Sequence, residues 1–361
     1  MLEVKQRKEE KMKQTEVRIV EKLSTNQKTY PQLERAAALI QEGEVVAFPT
    51  ETVYGLGANA LSAKAVRKIY RAKGRPSDNP LIVHISSVDM LGTLVDAIPK
   101  SAQKLMDVFW PGPLTIVFPK QANVPDCVTG GLRTVGIRMP NHPIALDLIR
   151  QAKVPIAAPS ANISGRPSPT TVRHVIEDMN ERIPLIIDGG DTQVGLESTV
   201  IDCSRSVPII LRPGKITKEE IEAILGQTID EAMDHSGSDV LAPCAPGMKY
   251  RHYAPQAEVK LVAHSEKLVQ EAIWQQKKAG KSVGVLSTNE ICQTVQAADR
   301  VFSLGAAGDL TMCSQRLYDG LRNFDDYRID VILVTTVEET GVGKAIMNRL
   351  AKASEEVSDL L

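Results

Sequence analysis

At 361 residues the chain is longer than one hydrophobic core usually serves, so two domains are expected. Hydrophobic residues make up 43% and charged residues 24%, and no apolar run approaches the roughly 18 residues that span a bilayer, which excludes a helical membrane protein and a disordered one. A net charge of -1 excludes a global pull toward nucleic acid, so any polyanion site must be a local concentration of Lys and Arg.

In chain order, residues 1–20 read as a charged, solvated extension with neither a signal peptide nor an apolar anchor. The amphipathic stretch 33–43 predicts a helix stopped by Gly43, and 44–50 (EVVAFPT) a buried strand. Alternation continues with helix 65–74, strand 80–86, helix 101–110, strands 114–119 and 134–140, helix 142–152, strand 155–161 and helix 171–179. Strands 184–190, 198–204 and 208–214 complete one mixed, twisted-sheet α/β domain over 21–226. Apolar periodicity fades over 227–256, where Pro243, Pro246, Gly247 and Pro255 mark a linker. Over 257–361, strands at 258–264, 282–288, 300–305 and 330–336 alternate with helical stretches, the rhythm of a smaller doubly wound, Rossmann-like α/β domain. Five widely spaced cysteines without a C-x-x-C pair argue against a disulfide framework and a zinc site, and fit a reducing cytoplasm.

Six stretches concentrate polar chemistry. FPTETVYGLGANA (48–60) puts hydroxyls and two glycines just past a strand, either a tight turn or a ligand loop at a strand's carboxyl end. In YRAKGRPSDNPLIVHI (70–85), Lys73 and Arg75 flank a glycine at a helix end, with Asn79 and His84 beyond, as a positive fork would for a phosphate-bearing ligand. Arg138 lies in the apolar strand TVGIRMP, four residues after Thr134, and requires an anion, whether a structural carboxylate or a substrate's. APSANISGRPSPT (158–170) crowds Ser160, Asn162, Ser164 and Ser168 into one loop without a nearby base, which suits binding better than nucleophilic attack. LESTVID and ILRPG add Ser198 and Arg212 near strand ends.

Together with WPGPLTIVF (110–118), these stretches resemble, in order over about 25–225, the YrdC-type domain of threonylcarbamoyl-AMP synthases, whose hallmark is the pair Lys73-x-Arg75 and Ser160-x-Asn162. APGMKYRHYAP (245–255) and the α/β stretch after it resemble the two-domain members, which makes 21–226 the catalytic domain and 257–361 an accessory domain. The resemblance implies formation of threonylcarbamoyl-AMP and pyrophosphate from L-threonine, bicarbonate and ATP, feeding a downstream threonylcarbamoyl transferase that modifies tRNA next to the anticodon. It also implies that Thr52, His84, Arg138, Ala158 and Ser198 hold threonine. Arg75, Asn79, Thr134, Ser160, Ser168, Arg212 and Tyr253 would hold ATP, with Asn162 beside them and Lys73 and Arg75 catalytic. Magnesium is expected to travel with ATP rather than occupy a dedicated protein site.

The linker is too rich in Lys249, Tyr250, Arg251, His252 and Tyr253 for a neutral spacer, and reads either as a segment docked through its tyrosines or as a lid across the nucleotide. TGVGKAIMNRL (340–350) imitates a phosphate loop but has Glu338 where the first glycine belongs and Ala345 where a hydroxyl should bind magnesium, so it reads as a helix start. The rival reading is an RNA-binding module tracking phosphates along Lys73, Arg75, Arg138, Arg166 and Arg212, although aromatic residues are only 4% and offer few stacking platforms.

Overall fold

A computed structural model describes residues 14–21, 29–232 and 252–354. The first domain runs β1 (Glu16–Ile19), α1 (Glu34–Gln41), β2 (Val46–Phe48), β3 (Gly55–Asn59), α2 (Ala63–Lys73), β4 (Ile82–His84), α3 (Lys100–Phe109), β5 (Leu114–Pro119) and α4 (Asp126–Thr129). It continues through β6 (Thr134–Arg138), α5 (Pro143–Ala152), β7 (Ile156–Ala157), α6 (Val172–Met179), β8 (Leu185–Asp188), β9 (Thr199–Asp202), β10 (Ile209–Arg212), α7 (Lys218–Leu225) and β11 (Asp230–Glu231). The second runs β12 (Glu258–Val262), α8 (Glu266–Lys278), β13 (Val283–Ser287), α9 (Asn289–Cys292), β14 (Arg300–Ser303), α10 (Leu310–Asn323), β15 (Val331–Thr335) and α11 (Val342–Ala353).

The first sheet is mixed, in the order β1-β8-β2-β3-β7-β4-β6-β5-β9-β10-β11. Its two ends differ from the sequence expectation. Residues 16–19, assigned to a solvated extension, pair in parallel with β8, because Val17 to Ile19 find backbone partners at Ile186 to Asp188. At the other edge the expected linker starts as β11, parallel to β10. Helices pack on the sheet by apolar stripes: α1 buries Ala36, Ala37, Leu39 and Ile40 against Leu148 and Ile149 of α5, each large aliphatic side chain contributing about 1.5–3 kcal/mol of burial.

FPTETVYGLGANA is the second difference. Its glycines are not an open turn but the strand β3, antiparallel to β2, with every residue of Gly55–Ala58 buried. Gly57 faces the Phe48 ring and Ile156 so closely that an added Cβ would lie 2.6 Å from each, so the glycine lets the Phe48 ring pack directly against β3.

The second domain's sheet, β12-β15-β13-β14, is all parallel, in accord with the doubly wound expectation. α11 starts at Val342, so the phosphate-loop look-alike is a helix start. The domains meet through α10 and α11. Gly195 (φ +78°) sits where an added Cβ would be 2.4 Å from Gln315 Cα, bringing loop and helix backbones into contact. Ser314 Oγ donates to Val194 O (3.0 Å), and Gln315 Nε2 donates to Gln193 O. Arg322, buried, donates to Pro167 O (2.6 Å) and Asp178 (2.6 Å), while Arg166 bridges Asp178 and Asp325.

Candidate active site

A cleft of about 720 Å³, including its open mouth, lies in the first domain and is closed on one side by Tyr253. Thr52, Lys73, Arg75, His84, Arg138, Ala158, Ser160, Asn162, Ser168, Ser198, Arg212 and Tyr253 all line it, so the structure brings together twelve residues that lie far apart in sequence. Thr134 is apart from these, lining a smaller hollow with Thr115, Thr129 and Gly136 that shares Ile82 with the cleft. Asn79 lines neither; it is buried, its carbonyl accepting from Tyr70 Oη (3.0 Å) while its Oδ1 has no hydrogen-bond partner among the described residues.

At one end, β4 and β6 run in parallel with His84 opposite Arg138. Arg138 donates from Nε to Gly112 O (3.2 Å) and from Nη1 to Thr52 Oγ1 (2.8 Å), and Nη2 lies 2.5 Å from Glu51 Oε2. Of the two anions the sequence left open, the structural carboxylate is thus present, as a contact of charges rather than an aligned hydrogen bond. Thr52 Oγ1 also meets Thr50 Oγ1 at 2.9 Å, which fixes the hydroxyl pair at the cleft wall. Burial, then the Arg138 charge, lowers the His84 pKa to about 3, so the imidazole is neutral, and its Nδ1 has no hydrogen-bond partner among the described residues.

At the other end, α2 is capped by Ser62 and stopped by Gly74 in the left-handed conformation, so Lys73 is its last residue and Arg75 turns back over the cleft. The expected fork is corrected here. Lys73 is buried and points inward, donating to Ser160 O (2.5 Å), Asn162 O (2.5 Å) and Asn162 Oδ1 (3.3 Å). Burial and then Arg75 hold its pKa well below the usual lysine value. It ties the Ser160–Asn162 loop to α2, joining the two short motifs in space. Arg75, half-buried, donates to Pro80 O (3.3 Å) and has a free Nε among the described residues, with burial lowering its pKa to about 10. Arg212 is buried and donates twice to Ser198 O, at 3.2 and 2.9 Å. Ser198 Oγ meets Thr115 Oγ1 at 2.8 Å.

Sequence reasoning missed Glu197, which is buried in the cleft wall and accepts from Ser168 Oγ (2.5 Å), Tyr318 Oη (2.9 Å) and Arg349 Nε (2.9 Å). Burial would raise its pKa, but the charges of Arg349 and Arg212 outweigh that and lower it to about 2. Only its place beside Ser198 in LESTVID hinted at it. Tyr253 is buried at φ +64°, stacked on Tyr318 with ring centroids 5.4 Å apart, so its docking onto the second domain and its place at the cleft coexist. Residues 246–251, the rest of the expected lid, lie outside the described residues.

The RNA-tracking alternative is contradicted by this arrangement. Lys73, Arg138 and Arg212 are no more than 4% exposed and Arg166 is paired with two aspartates, so no open basic track exists among the described residues.

Comparison with known proteins agrees with the geometry. Residues 38–214 match the Sua5_yciO_yrdC family, described as "Telomere recombination", and residues 216–355 match the family described as "Threonylcarbamoyl-AMP synthase, C-terminal domain". The chain is 50% identical to the threonylcarbamoyl-AMP synthase of Bacillus subtilis over 95% of this chain and 98% of that protein. It is 52% identical to that of Pyrococcus abyssi over 88% and 93%. The crystal structure of P. abyssi Sua5 complexed with L-threonine superposes with a TM-score of 0.88 at 49% identity, covering 94% of this chain and 98% of that one. With about half its residues shared along nearly its whole length, and both domains in the same arrangement, the chain belongs to the threonylcarbamoyl-AMP synthase family.

Proposed function

We propose that the cleft forms L-threonylcarbamoyl-AMP and pyrophosphate from L-threonine, bicarbonate and ATP, as a nucleotidyltransferase. The observation that carries this reading is the cleft's polarity. The Thr52 hydroxyl, neutral His84 and Arg138 stand at one end, suited to an amino acid's carboxylate and side-chain hydroxyl. Arg75 and Arg212 stand at the other, suited to a triphosphate. Ala158 completes the threonine end, and Ser198, whose carbonyl accepts from Arg212, stands between threonine and the triphosphate. Ser160, Asn162, Ser168 and Tyr253 flank the ATP, and its nucleoside reaches past Asn79 toward the hollow at Thr134.

The chemistry asks for little beyond this. Threonine's amine adds to bicarbonate with loss of water, giving a carbamate that is already anionic. A carbamate oxygen forms a bond to the α-phosphorus, the bond to the bridging oxygen breaks, and pyrophosphate leaves with the electron pair. No serine-histidine-acid relay is required. The protein's work is in-line positioning and neutralisation of the growing charge on the leaving group, supplied by Arg75 and Arg212. Lys73 takes part by releasing one of its carbonyl bonds to a phosphate oxygen, so the same ammonium positions the loop and meets the nucleotide. Magnesium enters with ATP as part of the substrate.

The product is a labile mixed anhydride that a threonylcarbamoyl transferase acting on tRNA would consume. We place the protein in the cytoplasm, consistent with the four described cysteines, all unpaired; none of the described helices is long and apolar enough to cross a membrane. Purified protein should release pyrophosphate from ATP only when threonine and bicarbonate are both present. Salt-dependent RNA affinity without turnover would overturn the assignment.

A further inference from the structure

One buried guanidinium of the second domain touches three cleft-bearing segments of the rest of the chain. Arg349 on α11 is 1% exposed. Its Nε donates to Glu197 Oε2 (2.9 Å), its Nη2 to Pro213 O (3.1 Å) and its Nη1 to Asn348 Oδ1 (2.7 Å), and its Cζ lies 5.5 Å from the centroid of the Tyr253 ring. Glu197 and Tyr253 line the cleft themselves, and Pro213 follows cleft residue Arg212.

We propose that Arg349 is a positioning residue for the nucleotide, the accessory domain's electrostatic contribution to the active site: it neutralises Glu197, which would otherwise face the triphosphate as an unpaired anion. The inference rests on the ATP reading of the cleft. A carboxylate in the wall of a polyphosphate site is anti-complementary to its ligand unless a cation cancels it. Around Glu197 stand Lys73 from α2, Ser168 from its loop, Arg212 from β10, Tyr253, Tyr318 from α10 and Arg349 from α11. Of the three cations, Arg349 alone donates a hydrogen bond to the carboxylate among the described residues. Arg212 spends its described hydrogen bonds on Ser198, and Lys73 spends its own on the Ser160–Asn162 loop. Arg349 thus holds the carboxylate while Arg212 and Lys73 hydrogen-bond to other groups of the cleft wall. Replacing such a pair by neutral groups is often tolerated, whereas removing one partner is costly, so a pair in this position serves orientation and charge balance more than stability.

The test is ATP binding by calorimetry on the full chain, with threonine binding measured in parallel. Arg349→Met should weaken ATP at pH 7.5 by about tenfold or more, through like-charge repulsion at short range. Threonine should weaken much less. The loss should shrink as pH falls toward 5, when the deserted Glu197 takes up a proton, and Arg349→Lys should restore part of it. The double variant Glu197→Gln/Arg349→Met should bind ATP as Glu197→Gln alone does. A purely structural Arg349 gives a different pattern: both ligands weaken together, without recovery at low pH or in the double variant, and that overturns the proposal. Unchanged ATP affinity in Arg349→Met overturns it too. Should Arg349→Met fail to fold, the comparison of Glu197→Gln with the double variant still decides, a further loss of ATP affinity in the double variant counting against the proposal. Failure of the wild-type chain to bind ATP is a separate result, against the function rather than against Arg349.

Discussion

Arg138 and Thr52 are joined by a 2.8 Å hydrogen bond from Nη1 to Oγ1, and the same guanidinium rests 2.5 Å from the buried Glu51 carboxylate. The threonine end of the cleft is therefore built on a charge pair. Arg138→Met should abolish threonine binding and destabilise the fold by about 3–5 kcal/mol, because Glu51 is left buried without its cation. Adding Glu51→Gln should recover most of the melting temperature and none of the threonine affinity. If the double variant is as unstable as the single one, Glu51 is not the partner that matters.

Selection of threonine should rest on its hydroxyl. Thr52, Thr50 and neutral His84 offer hydrogen-bonding groups at the wall, so valine, which lacks the hydroxyl, should lose on the order of 10³-fold or more in kcat/KM of pyrophosphate release. Comparable turnover with valine would remove the threonine assignment.

Arg75 is the cation at the mouth that makes fewest internal contacts, a single 3.3 Å bond to Pro80 O among the described residues. Arg75→Ala should cost about 2–4 kcal/mol in transition-state stabilisation, read as kcat/KM, with the melting temperature little changed. A lowered melting temperature with retained activity would make this loop structural.

Acid should destabilise the protein in two stages. His84 in the fold binds a proton only near pH 3, against an ordinary 6.5, so between those values the unfolded chain carries the extra proton. Stability is full above pH 6.5 and declines as pH falls toward 3, by roughly 3–5 kcal/mol in all. Glu197, at about 2 against an ordinary 4.5, adds a second loss beginning below pH 4.5 and ending near 2. Urea titrations between pH 7 and 4 should show the first stage, and His84→Gln should flatten it. An unaltered slope in that variant would assign the acid sensitivity elsewhere.

The order of motifs and the β-α rhythm were legible because apolar periodicity and short polar loops are local signals. All four strands of the second domain and cleft residues such as Arg75, Arg138, Ser160 and Arg212 come from such signals, whereas Ala158 was named by family resemblance alone. What was not legible depended on distance or on the fold's interior. Glu197 and Arg349 are 152 positions apart, and neither has a local pattern that names the other. Lys73 and Arg75, two residues apart, read as one fork, yet the turn at Gly74 sends one inward to carbonyls and the other to the cleft. Gly55 and Gly57 suggest a turn because glycine is the usual turn residue; packing under Phe48 makes them strand instead. The strand at 16–19 is hidden for a different reason: it is four residues long with no buried face, Val17 and Ile19 both being exposed, and its place in the sheet comes from backbone pairing with β8.

The missing methyl at Gly195 has a mechanical consequence. Loop 193–195 and α10 touch backbone to backbone, stitched by Ser314 and Gln315, so they translate as a single body. A hinge that parted them would have to tear those stitches, while any side chain at 195 would wedge them apart. With loop and helix held together in this way, the second domain stands as a fixed wall beside the cleft rather than a swinging door.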